Sequence, residues 1–228
     1  MLPIPIPGFT DPFSALTHLL AALVFFILTF VLWHRGRGAG GRVTFLLIFS
    51  FAVVFQFSMS GVYHLLDVGD GRSVLQRLDH AAIFTLIAAS FTTVHGILFR
   101  GVWRWGVLIF VWVVAINGIA FKTIFFNDVP EWLGLTLFLF LGWIGLTTAF
   151  LLCRRFGCAY NKYLLFSGCA YTAGAVVEFI RAPNLIPGVV GPHELFHIGV
   201  IVGVSFHWAY TYKFANGKLP ELPKLRAN

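Results

Sequence analysis

The stretch VTFLLIFSFAVVFQFSMSGVYHLL, residues 43–66, contains no Asp, Glu, Lys or Arg and carries a histidine near its end. At about 1.5 Å of rise per residue it is long enough, as a helix, to cross a hydrocarbon core of roughly 30 Å. A transmembrane barrel would instead need strands of about 10 residues with alternating polarity, and the run shows no such alternation. Working outward, breaks of Gly, Pro and charge divide the chain into seven segments of this kind. They cover roughly 14–33, 43–66, 76–99, 102–122, 131–152, 160–181 and 192–212. The expected fold is all-α: a single polytopic membrane domain over residues 1–228, built as a seven-transmembrane-helix bundle.

Composition agrees. The chain is 58% hydrophobic and 11% charged, with a mean hydropathy of +0.85. A soluble domain carries roughly a quarter charged residues, so lipid has to be the main solvent and the expected partner. The net charge of +7 does not point to nucleic acid, because the basic residues lie in short loops and form no patch interleaved with aromatics. Cys153, Cys158 and Cys169 show no CxxC spacing and are read as free, mostly packed thiols. The opening MLPIPIPGFTDPF lacks the basic region of a cleaved signal peptide. From Phe214 to Asn228 the chain reads as a short exposed end.

Seven spans put the two termini on opposite sides. On the side where the first span begins, side A, lie Arg72, Arg77, Lys122 and Arg181. Side B carries Arg35, Arg37, Arg42, Arg100, Arg104, Arg154, Arg155, Lys162, Lys213, Lys218, Lys224 and Arg226. The excess of basic residues predicts a cytoplasmic side B, hence an outward N-terminus and a cytoplasmic C-terminus. Acids are distributed the other way: Asp11, Asp67, Asp70, Asp79, Asp128, Glu131, Glu178 and Glu194 crowd toward side A, and Glu221 alone lies on side B. An electropositive centre on side A is one explanation.

Candidate ligands for such a centre are present. Gln56, Ser60 and His64 recur every four residues and share one helix face. The third segment opens with Arg77-Leu-Asp79-His80 and the seventh with His193-Glu-Leu-Phe-His197. Connectivity puts His64, Asp79, His193 and His197 within about 10 Å of side A, at about 1.5 Å per residue. Ionisable groups inside a span are expensive and mark function. Two His at i, i+4 can reach one ion, and a third from another helix completes an N3 set with an open fourth position. Zinc is the default metal, because imidazole suits it and no thiolate is near, although Fe, Ni and Cu share that preference. Asp79 would then hold or deprotonate a bound water, and Ser60 would hydrogen-bond a carboxylate, imidazole or substrate oxygen. His193–His197 also reads HExxH, which makes Glu194 a rival general base; its plainer role is an acid at a helix N-terminus. His18 and Gln56 are expected around the ligands. His80 is expected to pack or bond locally, and His34, His95 and His207 to be structural. Glu178 and Arg181 read as a local i, i+3 ion pair.

At these residues the chain resembles hemolysin III and its wider superfamily, which includes the adiponectin and progestin receptors. Asp11-Pro-Phe-Ser-Ala-Leu-Thr-His18 resembles the family's opening of the first span. Ser60-Gly-Val-Tyr-His64 is similar to its SxxxH motif, and Arg77-Leu-Asp79-His80-Ala-Ala-Ile-Phe84 to its Asp motif. Ala170–Val177 and His193–His197 resemble spans six and seven, so the likeness covers nearly the whole chain. Departures are Ser90-Phe-Thr-Thr-Val-His95, where relatives have a Thr-Pro pair, and Glu178, where many have an aromatic. The receptors keep the N-terminus cytoplasmic, the reverse of the orientation that the basic residues predict here.

The resemblance implies zinc on His64, His193 and His197, with Asp79 holding the zinc-bound water. It also brings in the alkaline ceramidases, which hydrolyse lipid amides. The expected function is therefore a zinc-dependent hydrolase of a lipid amide or ester in a bacterial plasma membrane, with a lipid-like substrate. The alternative is a hemolysin III-type channel or pore, or a receptor-like protein, in which zinc is structural.

Overall fold

A computed structural model describes residues 10–219. The N-terminal nonapeptide, on which the signal-peptide reading partly rests, lies outside the described residues, as does the tail that carries Glu221, Lys224 and Arg226. The described chain forms seven helices: α1 (Pro12–Gly36), α2 (Gly40–Leu65), α3 (Asp70–Leu98), α4 (Val102–Ile124), α5 (Glu131–Phe156), α6 (Cys158–Ile180) and α7 (Pro192–Phe214). The first six are long and apolar enough to cross a membrane. α7 is as long as α4 and α6 but less apolar, because His193, His197, His207 and three polar-tipped aromatics dilute its Val and Ile. Among the described residues there is no strand, only an isolated bridge between Ile186 and Val190 in the α6–α7 loop.

Several helices begin or end outside their apolar windows. α3 starts at Asp70, because the polar turn Asp-Gly-Arg-Ser is helical as well, with Asp70 at the positive end of the helix dipole. α1 opens on Pro12, at a position where a missing N–H costs nothing. Between α5 and α6 a single residue, Gly157, makes the turn at φ 82°, in the left-handed region that favours glycine.

Short connections force neighbouring helices to run antiparallel. α1 packs on α2, α2 on α3, α3 on α4, α5 on α6 and α6 on α7, and α7 closes back against α1. α3 lies innermost and also touches α5 and α7. One apolar cluster, around Phe49, Phe57, Leu86, Leu152, Val204 and Tyr210, joins α1, α2, α3, α5 and α7. A second, around Phe84, Phe91, Val111 and Leu141, seats α4 and α5 on α3. The outer faces of α1, α4 and α5 expose Leu20, Phe30, Ile109, Phe140 and Phe150, as lipid-facing surfaces do. Cys158 and Cys169 are exposed and Cys153 is half-buried, so the packed-thiol reading suits only Cys153. All three are free.

α6 and α7 approach backbone to backbone. A Cβ on Gly199 would stand 2.9 Å from the Gly174 Cα, and one on Gly174 would meet Gly199 Cα and the Phe196 carbonyl at 3.3 Å. Backbones touch there because neither residue has a side chain, as at small-residue contacts between membrane helices generally. The contact lies two residues beyond His197, so it sets the distance of that side chain from α6. Gly199→Ala is expected to cost about 1–3 kcal/mol of stability, read as a lower thermal midpoint in detergent, whereas Gly168→Ala, with nothing near its Cβ, should be neutral.

Candidate metal centre

His64 ends α2, and His193 and His197 occupy the first two turns of α7. One donor nitrogen from each lies within 4.8 Å of the other two, a grouping that can hold a metal ion. The Nε2 atoms of His64 and His193 are 3.3 Å apart. A tetrahedral ion with metal–nitrogen bonds of about 2.0–2.1 Å places its donors roughly 3.3–3.4 Å apart. The His64–His193 spacing already matches, and His197 stands slightly wider. His197 Nδ1 is buried without a hydrogen-bond partner, and the donor set is pure imidazole; both fit a metal of the kind that imidazole binds.

Carboxylates stand behind two of the three histidines. Asp11 Oδ2 lies 2.9 Å from His64 Nδ1, which fixes the proton on Nδ1 and turns the Nε2 lone pair to the centre. The Asp11 main-chain N–H also donates to the His64 carbonyl at 3.0 Å. Arg72, from the start of α3, donates to the same Oδ2 at 2.7 Å, bonds the Tyr63 carbonyl and covers the Tyr63 ring. Burial pulls the Asp11 carboxyl up, but the hydrogen bonds and charges of His64 and Arg72 outweigh it and hold it below its ordinary range. On the other side, His193 Nδ1 lies 3.5 Å from Glu178 Oε1, which Arg181 also grips at 2.9 Å. The i, i+3 pair expected from sequence is present and has this second role as well.

Asp79 is buried in α3, where Gln56 Nε2 donates to its Oδ1 at 3.0 Å and the Ser60 side chain lies beside it. The face shared by Gln56, Ser60 and His64 therefore presents two residues to Asp79 and one to the histidine cluster. Glu194, the rival base, is occupied at the helix start: Oε2 accepts the Gly191 N–H at 2.9 Å and Oε1 the Ser14 hydroxyl at 3.1 Å. His18 stacks on His197. His80 packs beside Phe126, and His34 is exposed. His95 is structural, bonded to the Trp103 carbonyl at 2.6 Å and to Thr148 Oγ1 at 2.9 Å. His207 approaches Thr93 at 3.4 Å and also borders the cavity described next.

All of the centre opens on one cavity of about 1410 Å³. His18, Gln56, Ser60, His64, Asp79, His193 and His197 line its polar end, and Ile87, Phe138, Leu146, Leu164 and Val200 its apolar walls. Sequence reasoning gave Asp11, Arg72 and Glu178 no role at the centre. For the two acids the signals were the crowding of acids toward side A and, for Asp11, its place in the motif that opens the first span, neither of which says which acid meets which histidine; nothing singled out Arg72.

A helical membrane bundle with a three-histidine centre, two of its imidazoles buried, and a carboxylate on one cavity is the class of protein these observations define. The chain belongs to the haemolysin-III related family, whose model matches residues 9–208. It is 25% identical over 165 residues to the hemolysin-3 homolog of Bacillus subtilis, covering 72% of this chain and 77% of that protein. It is 24% identical over 165 residues to hemolysin-3 of Bacillus cereus, covering 72% and 75% respectively.

If Asp11 orients His64 toward an ion, Asp11→Asn should weaken metal binding about 10- to 100-fold. Competition with a chelator of known affinity measures this, and His64→Ala should abolish stoichiometric binding.

Proposed function

We propose that this protein is a zinc-dependent integral membrane hydrolase of a lipid amide or ester, with His64, His193 and His197 holding the metal. The observation that carries the reading is Asp79, a carboxylate held by Gln56 with Ser60 beside it, on the same cavity as the three histidines. Zinc, when bound, would polarise the carbonyl and lower the pKa of water toward about 7. Asp79 would take the proton of the attacking water and return it to the leaving nitrogen or oxygen as the acyl bond breaks. Gln56 would keep the carboxylate turned to the cavity, and the Ser60 hydroxyl would orient Asp79 or meet the developing oxyanion. Glu194 is the weaker base, since both its oxygens accept hydrogen bonds at the α7 start. The apolar walls formed by α3, α5 and α6 suit an acyl chain.

The second reading is a pore, channel or receptor-like protein with a structural metal, and the name hemolysin of the Bacillus relatives speaks for membrane activity. A pore needs a polar path to the far face. Toward side B the bundle closes on Leu46, Phe49, Phe214 and Ala215, all fully buried, which argues against one.

Metal analysis paired with hydrolysis of N-acyl amides and esters tests the proposal. Wild type should hold one zinc and turn over, and Asp79→Asn should keep the zinc while losing about 10²- to 10⁴-fold in kcat. Zinc-loaded wild type that cleaves no member of the panel would sink the hydrolase and leave the structural-metal reading.

We also count α7 as the seventh span and place side B, with its basic residues, in the cytoplasm of a bacterial plasma membrane. A reporter active only in the cytoplasm should then work when fused after Asn228 and be silent when fused before Met1; the reverse pattern would invert the orientation.

A further inference from the structure

We propose that His18 is the residue of the cavity that binds the ligand's polar head, and that this head is a neutral group which both donates and accepts a hydrogen bond, a hydroxyl foremost. The proposal takes the histidine centre as the binding end of the cavity and does not depend on hydrolysis.

His18 is 2% exposed, and neither Nδ1 nor Nε2 has a hydrogen-bond partner among the described residues. The His197 main chain comes near the ring without completing a bond. Buried polar groups are almost always paired, and the exceptions call for a ligand or an ordered water. Other polar atoms left unpaired, on Gln56, His80, Tyr171, Glu178 and His197, belong to residues that line the same cavity as His18.

In this arrangement the ring would not share an ion held by His197. It lies almost parallel to His197, at 14° with centroids 4.0 Å apart. A metal binds in the plane of its imidazole, so an ion held by His197 would stand off the face of the His18 ring. Packing holds this placement: Phe57 meets the His18 ring edge-on at 5.1 Å. Next to it, a Cβ on Gly61 would stand 2.7 Å from Leu19 Cγ, so α1 and α2 are in close contact at this level. His18 is therefore set beside the ligands with both nitrogens free. Neutral imidazole has one N–H and one lone pair, and a hydroxyl, being donor and acceptor at once, complements both.

The test uses the zinc-loaded full-length protein in nanodiscs and dodecane-1,2-diol, a probe with no cleavable bond. Trp132 and Trp143 line the cavity and report binding by fluorescence. His18→Phe, which preserves the stack, should weaken the diol about tenfold while zinc content and dodecane binding stay as in wild type. His18→Gln, which restores a donor and an acceptor, should recover part of the loss. Equal diol affinity in His18→Phe, zinc loss in that variant, or no saturable diol binding to wild type would each overturn the assignment. Because the probe is not cleaved, a failed hydrolysis panel leaves this result standing, and a failed diol experiment leaves the hydrolysis result standing.

Discussion

Asp11 meets His64 twice, through its main-chain N–H to the His64 carbonyl and through its carboxylate to Nδ1. Two consequences follow from that pair of bonds. The entry of α1 is tied to the exit of α2, and the imidazole is left with its Nε2 lone pair facing inward. Arg72 adds the start of α3 to the same carboxylate, so three helix ends converge on one oxygen atom. A charged group this deep is costly unless it is paired. The chain meets that cost by placing an acid, a base and a histidine in mutual contact rather than by excluding them.

The other two histidines are held by a different device. α7 reaches α6 through glycine against glycine, and close backbone packing substitutes for the hydrophobic effect, which vanishes between helices solvated by lipid. Glu194 and Ser14 then link the start of α7 to α1. The centre is thus assembled at one face by polar clamps and close packing, while apolar clusters hold the remainder of the bundle. This division explains why the cavity is polar at the histidines and apolar along α3, α5 and α6.

Much of this was legible in the sequence, and for definable reasons. A helix in lipid satisfies its own backbone, so an uncharged run long enough to cross identifies it locally; residues 43–66 needed no tertiary information. The depth of His64, Asp79, His193 and His197 followed from counting along antiparallel helices. The i, i+4 spacing of His193 and His197 put both on one face, and that of Gln56, Ser60 and His64 did the same. Less was legible at α7, whose histidines and aromatics serve the interior and so lower the apolar signal of the span itself.

Tertiary structure alone decided which polar groups meet. Eight acids near side A are equivalent in sequence, but Asp11 stands behind His64, Glu178 behind His193 and Glu194 at a helix start. Rotation of each helix about its axis makes that choice. It is set by where Gly174 faces Gly199 and where Gly61 admits Leu19, contacts between residues far apart in the chain. The sequence by itself determined that the protein is a helical membrane bundle with its histidines at one depth, because hydropathy and helical rise act locally. Only the fold decided that three of those histidines face one another and that His18 stands beside them unpaired, because imidazole contacts depend on helix rotation to within a few ångströms.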